Sequence, residues 1–180
     1  TGFGHQGVII FFVISGYLVG GTILEKYMEN GVFSSDYIKL YCIKRFSRIY
    51  TVLIPAIFIG LFFDLWGLYL FKDLYENFYH ISSMDVNVAN TINAANFLGN
   101  ILNLQTIVSE PIGTSLPTWS LANEWWYYIL FPLLLANKYS KILFFLIVAC
   151  FAFLTLSLLE YSLLWLLGAI FFQVKTKFID

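Results

Sequence analysis

Long uncharged runs divide this chain. Gly7–Leu24 holds 18 residues without a charge, Tyr50–Phe71 holds 22 with only Asp64, and Leu121–Ala136 holds 16 with only Glu124. Ile142–Leu159 is another 18 with no charge, and Tyr161–Val174 a shorter uncharged run of 14. A helix rises about 1.5 Å per residue, so the longer runs span roughly 27 to 33 Å, which matches a hydrocarbon core of about 30 Å. Trp119 and Ser120 lengthen the third run, and Glu160 marks the turn into the fifth. The pattern predicts an all-α fold, a polytopic transmembrane helix bundle of about five spans.

Composition agrees. Of 180 residues, 59% are hydrophobic and 12% are charged, whereas soluble domains carry about 25% charged residues. Nucleic-acid binding is excluded, because no dense basic cluster interleaves with aromatics in a polar setting. Cys42 and Cys150 are the only cysteines and show no metal-ligand spacing, so neither a metal site nor a disulfide is expected. No basic region precedes Gly7–Leu24, which argues against a cleaved leader. The start at Thr1 and the end at Asp180 lead us to expect one partial domain over 1–180, cut from a longer protein at the N-terminus and also at the C-terminus.

Charge placement sets orientation. Lys26, Lys39, Lys44, Arg45 and Arg48 follow the first run, Lys138 and Lys141 the third, and Lys175 and Lys177 the fifth. Only Lys72 falls in the alternate stretch, 72–120, which carries Asp73, Glu76, Asp85 and Glu110. Basic residues mark the cytoplasmic side, so 72–120 is expected outside a bacterial inner membrane. Within it, Asn93, Asn96, Asn100 and Asn103 share one helical face. That face turns its amides either to water, as an interfacial helix, or to a polar substrate.

Several residues could carry chemistry. Glu124 lies one turn into an apolar helix, in Trp119-Ser120-Leu121-Ala122-Asn123-Glu124-Trp125-Trp126-Tyr127-Tyr128. An ionisable group at membrane depth is costly unless paired, so it faces the bundle interior and serves function, or else snorkels to the interface. Asp64 fits a structural or interfacial role better. Arg45 and Arg48 share a helical face, and two guanidinium forks suit a phosphate or pyrophosphate; flanking basic residues also bind lipid headgroups. Ser15-Gly16 in mid-run permits close helix approach. Ser15 has no base near it in sequence and is not assigned as a nucleophile. His5, just before this run, could act as an acid or base, though a lone interfacial histidine needs no such role.

Three stretches together carry a resemblance: Gly7-Val8-Ile9-Ile10-Phe11-Phe12-Val13-Ile14-Ser15-Gly16-Tyr17-Leu18, then Arg45-Phe46-Ser47-Arg48-Ile49-Tyr50, then Trp119 to Tyr128 followed by Phe131-Pro132. In this order they resemble the acyltransferase-3 family of membrane O-acyltransferases over about residues 5–136. Ile9 and Thr51 depart from it, standing where the family often has Asp and Pro. The resemblance implies transfer of an acyl group, commonly acetyl, from a cytoplasmic acyl-CoA to a hydroxyl, often on a sugar outside. Arg45 and Arg48 would then meet the CoA phosphates, and Glu124 would lie toward the acceptor and assist acid/base chemistry. Trp119, Ser120 and Ser15 would serve as substrate-contacting or structural motif residues. The family's histidine sits on a helix before the Gly7-Val8 run, and His5 is too close to Gly7 to be it. Acyl-CoA enters as donor substrate, no bound cofactor is expected, and the partners are a carbohydrate or other hydroxyl acceptor and membrane lipid. A transporter or a glycan or lipid exporter would also place a carboxylate and a polar stripe inside a bundle. The absence of an internal repeat favours the enzyme.

Overall fold

A computed structural model describes residues 4–72, 75, 79–81, 84–86, 88–155 and 157–179. Helix α1 (Gly4–Ser15) runs through a π-helical turn (Gly16–Gly20) into α2 (Gly21–Asn30), and Gly31 ends α2 in the left-handed conformation at φ 68°. Helix α3 covers Ser35–Leu70. A small antiparallel hairpin follows, β1 (Tyr79–Ile81) against β2 (Met84–Val86), which the hydrophobic pattern did not predict. Then come α4 (Val88–Thr91), α5 (Ala94–Ile101), α6 (Trp119–Leu135), α7 (Lys138–Leu154) and α8 (Ser157–Ile179).

The architecture is helical, as expected, but only part of the span count follows. Gly4–Asn30 and Ser35–Leu70 are long and apolar enough to cross a membrane, while Leu158–Val174 is a shorter apolar helix. Helices α6 and α7 have 17 residues each. Two compact units arise: Ser47–Ala122 forms one, and Gly2–Phe46 with Asn123–Asp180 forms the other.

In the second unit, α1 is ordered inside out relative to a soluble helix. Phe12, Ser15, Gly16 and Val19 are buried, whereas Ile10, Ile14 and Leu18 are about half exposed at 57%, 51% and 50%. Large apolar groups cover the outward face while Ser15 and Gly16 turn inward beside Phe12 and Val19, as expected where lipid is the solvent. The buried stripe meets α8 at backbone range. A Cβ on Gly16 would lie inside the van der Waals radius of the Trp165 carbonyl oxygen, and one on Gly168 would strike the Val13 carbonyl oxygen. At Gly20 a Cβ would lie 2.7 Å from that of Ala169. The close approach expected of Ser15-Gly16 is thus realised against α8, with Gly16 and Gly20 four residues apart as in small-xxx-small contacts.

The first unit overturns the expectation for the asparagines. Asn93 caps α5, its side chain accepting from the Asn96 amide at 2.9 Å. Asn96, Asn100 and Asn103 are buried, whereas Leu98 and Leu102 are exposed. These three amides are turned away from water, while Asn93 stays exposed. Asn100 Nδ2 donates to the Glu110 carbonyl at 2.7 Å and its Oδ1 accepts from the Ile112 amide at 3.2 Å. Asn96 Oδ1 accepts from the Glu110 amide at 3.1 Å, and Asn103 Nδ2 donates to the Tyr50 hydroxyl at 3.2 Å. Asn96 and Asn100 satisfy the backbone of an irregular loop, which cannot be buried otherwise.

Asp64 belongs to the same scaffold and takes the structural role expected of it. It is 1% exposed and accepts from both the Thr114 amide and hydroxyl, each at 2.8 Å. Gly113 beside it sits at φ 56°, and a Cβ there would collide with the Asp64 carboxylate. Only glycine suits both the backbone and the space.

Candidate functional site

The second unit gathers a buried polar cluster from three helices. Glu124 and Tyr128 lie one turn apart on α6, which places both on one face. Ser15 ends α1 at the start of the π-helical turn, a local irregularity that is frequent at functional sites. Trp165 comes from α8. Glu124 is 1% exposed. Its Oε1 accepts from the Ser15 hydroxyl at 2.6 Å and from the Tyr128 hydroxyl. Ser15 Oγ also lies 3.2 Å from the Tyr128 hydroxyl oxygen and accepts from the Trp165 indole Nε1 at 3.2 Å.

Tyr128 then links this carboxylate to a cation. The Arg45 guanidinium lies 5.4 Å from the Tyr128 ring centroid and 5.5 Å from that of Tyr41. Such contact of a cation with a ring face is attractive, by about 0.5–2 kcal/mol depending on desolvation. Tyr41 is fixed in turn, its hydroxyl donating to the Tyr128 carbonyl at 2.9 Å. Arg45 is half-buried, and its Nε has no hydrogen-bond partner among the described residues. Asn123, beside Glu124, is fully buried, and neither end of its amide has such a partner. Amide groups in that state gain from a polar ligand.

The expected site residues divide. Glu124, Ser15 and Arg45 converge. Arg48 is exposed, so the two arginines differ in environment despite their spacing. His5 is exposed on the first turn of α1, its ring edge-on to Tyr161 at 6.1 Å, and ten residues of helix separate it from Ser15. Trp119 and Ser120 are half-buried in the other unit, where the Ser120 hydroxyl donates to the Pro117 carbonyl at 3.0 Å and tightens the helix start. Across the bundle Glu124 meets Ser15, with Trp165 behind it.

Arg45 and Glu124 share a neighbour. One side chain, Tyr128, touches both. The physical reason is that a long arginine stem reaches along apolar surface while its head seeks a polar or aromatic partner.

The profile of the acyltransferase-3 family, described as an acyltransferase domain, matches residues 1–177. The chain belongs to the acyltransferase-3 family. This family is membrane-associated, which the two long apolar helices fit. An uncharacterized protein of Haemophilus influenzae is 30% identical over 137 residues, covering 73% of this chain and 49% of that protein. The chain therefore spans about half the length of this curated relative. No solved structure matches it. The family match extends past the three motifs into α8, the helix that contributes Trp165. Sequence reasoning missed Trp165 and the role of Tyr128. A lone Trp in the apolar run 161–174 was the available signal, because a buried indole N–H requires an acceptor.

Proposed function

We propose that this chain is part of a membrane O-acyltransferase that moves an acyl group from acyl-CoA to a hydroxyl of a sugar or glycan. The observation that carries this reading is the Ser15–Glu124–Tyr128 cluster with Arg45 on the far side of the same tyrosine. A buried carboxylate that already takes hydroxyl hydrogens is suited to an alcohol substrate. The acceptor oxygen attacks the thioester carbonyl carbon, the C–S bond breaks, and the sulfur leaves with the bonding electrons. Glu124 orients the acceptor hydroxyl or takes its proton, which is finally transferred to the CoA thiolate. Arg45 holds the donor by its phosphates, and Asn123 offers an amide to the bound substrates.

Full-length protein with both Arg45→Lys and Arg48→Lys tests the donor assignment. Lysine keeps the charge and can still lie on an aromatic face, but it loses the bidentate fork. The KM for acyl-CoA is expected to rise about tenfold, the loss of one charge-assisted contact. An unchanged KM would return both arginines to topology alone.

The reading also requires residues 25–49 to face the cytoplasm, where acyl-CoA resides. Ser34 is exposed in the link before α3. A Ser34→Cys variant lacking Cys42 is expected to resist an impermeant thiol reagent in intact inner-membrane preparations of the correct orientation. Labelling from the external face would reverse the orientation.

A further inference from the structure

A second feature adjoins the cluster. Helices α6, α7 and α8 line a half-open pocket of about 200 Å³, with Leu130, Leu134, Phe144, Val148 and Leu166 among its walls. Three polar or amphipathic side chains reach it, and each has its polar atom engaged. Ser162 Oγ donates to the Leu159 carbonyl at 2.7 Å, the Tyr127 hydroxyl donates to the Leu158 carbonyl at 2.7 Å, and Trp165 Nε1 donates to Ser15. The pocket therefore presents hydrocarbon alone. An apolar surface of this kind is favourable for an apolar guest, which it removes from water.

Trp165 belongs to both features. Its indole N–H holds Ser15 of the cluster while its ring walls the pocket, and Tyr127 walls it one residue from Tyr128. A guest here lies one side chain away from the groups assigned to acyl transfer. This continuity favours a substrate chain over a lipid held only by the outer surface. We propose that the pocket seats the hydrocarbon tail of the transferred acyl group, so that the donor is a medium-chain acyl-CoA rather than acetyl-CoA. The proposal rests on the acyl-transfer reading and adds the chemical class of the donor. Each methylene taken from water into the pocket is worth about fourfold in affinity, the equivalent of about 0.8 kcal/mol; an acetyl group would leave most of that unused.

The test uses full-length protein in lipid nanodiscs with an octanoyl-CoA that carries an alkyl diazirine at the chain end. Irradiation is expected to leave adducts on Phe144, Val148 or Leu166, and excess octanoyl-CoA is expected to protect them. Ser162→Leu and Val148→Phe, made separately, fill the pocket from different helices. Each is expected to cut labelling about fifteenfold, the loss of room for about two methylenes. Adducts that persist under octanoyl-CoA but vanish under excess short-chain phosphatidylglycerol would identify a membrane lipid and overturn the proposal. No adducts at these residues would mean that another part of the protein fills the pocket, and would overturn it equally. Acyl transfer is scored separately by CoA release. Release without adducts would sink the pocket alone. Protected adducts without release to any hydroxyl acceptor would sink the transfer reading and leave an acyl-CoA-binding pocket.

Discussion

Glu124→Gln in the full-length protein is expected to reach the membrane at normal levels while acyl transfer falls by about 10²-fold or more, as for loss of an acid/base group. The substitution is nearly isosteric. A glutamine carbonyl can still accept from the Ser15 hydroxyl and from Tyr128, so the contacts among α1, α6 and α8 persist. What disappears is the negative charge and the capacity to take a proton. Rate and fold are therefore separable at this position. Membrane yield and thermal midpoint in detergent report the second, and CoA release at saturating donor reports the first. A carboxylate kept only to tie the helices together would tolerate glutamine with activity within a few fold. That result would remove Glu124 from the site and leave the family match as the support for an enzyme.

Gly16→Ala is expected to be strongly destabilising. The added Cβ meets the Trp165 backbone carbonyl, which cannot rotate away as a side chain would. Helix α8 must withdraw, and overpacking of this kind costs about 3 kcal/mol. Withdrawal also draws the indole N–H from Ser15, so activity should decline together with stability. Gly7→Ala supplies the internal control, because nothing lies within 4 Å of its would-be Cβ. In the helix it should be neutral or stabilising by up to about 1 kcal/mol. Unfolding of both variants in the same detergent decides the matter. Equal midpoints would show that α1 and α8 are not held at backbone contact.

Much of this was legible in the residues, and the limits have physical causes. The uncharged runs located α6, α7 and α8 within about five residues, because lipid exposure demands apolar surface and that demand is written in composition; the run Tyr50–Phe71 found only the later part of α3, whose charged first turns begin at Ser35. Family membership was legible from three short motifs in order. Glu124 was legible because an isolated carboxylate among Trp and Tyr has few reasons to be there. Its partners were not. Ser15 and Trp165 lie more than a hundred residues apart in sequence, and no local periodicity encodes which helix meets which. The asparagine face was misread for a related reason. A period of 3.6 shows that Asn96, Asn100 and Asn103 share a side, yet it cannot say whether that side meets water or a neighbouring loop's backbone. Charge counting located the chain around Arg45 but could not show that its guanidinium meets the Tyr41 and Tyr128 rings.

Helix α3 has 36 residues, about 54 Å of axis at 1.5 Å per residue. A tilt near 56° would be needed to hold all of it inside about 30 Å of hydrocarbon, and transmembrane helices rarely exceed about 40°. If α3 crosses the bilayer, at least about 10 Å of it must stand among the lipid headgroups. The end bearing Lys39, Lys44 and Arg45 is the only one able to do so without stripping charges of water. On the proposed donor assignment, Arg45 then works in a layer already crowded with phosphate esters, and an acyl-CoA reaching it would compete with anionic lipid for the same guanidinium. Turnover measured in zwitterionic and anionic bilayers should differ accordingly, with the lipid itself acting as a weak competitive inhibitor of the donor.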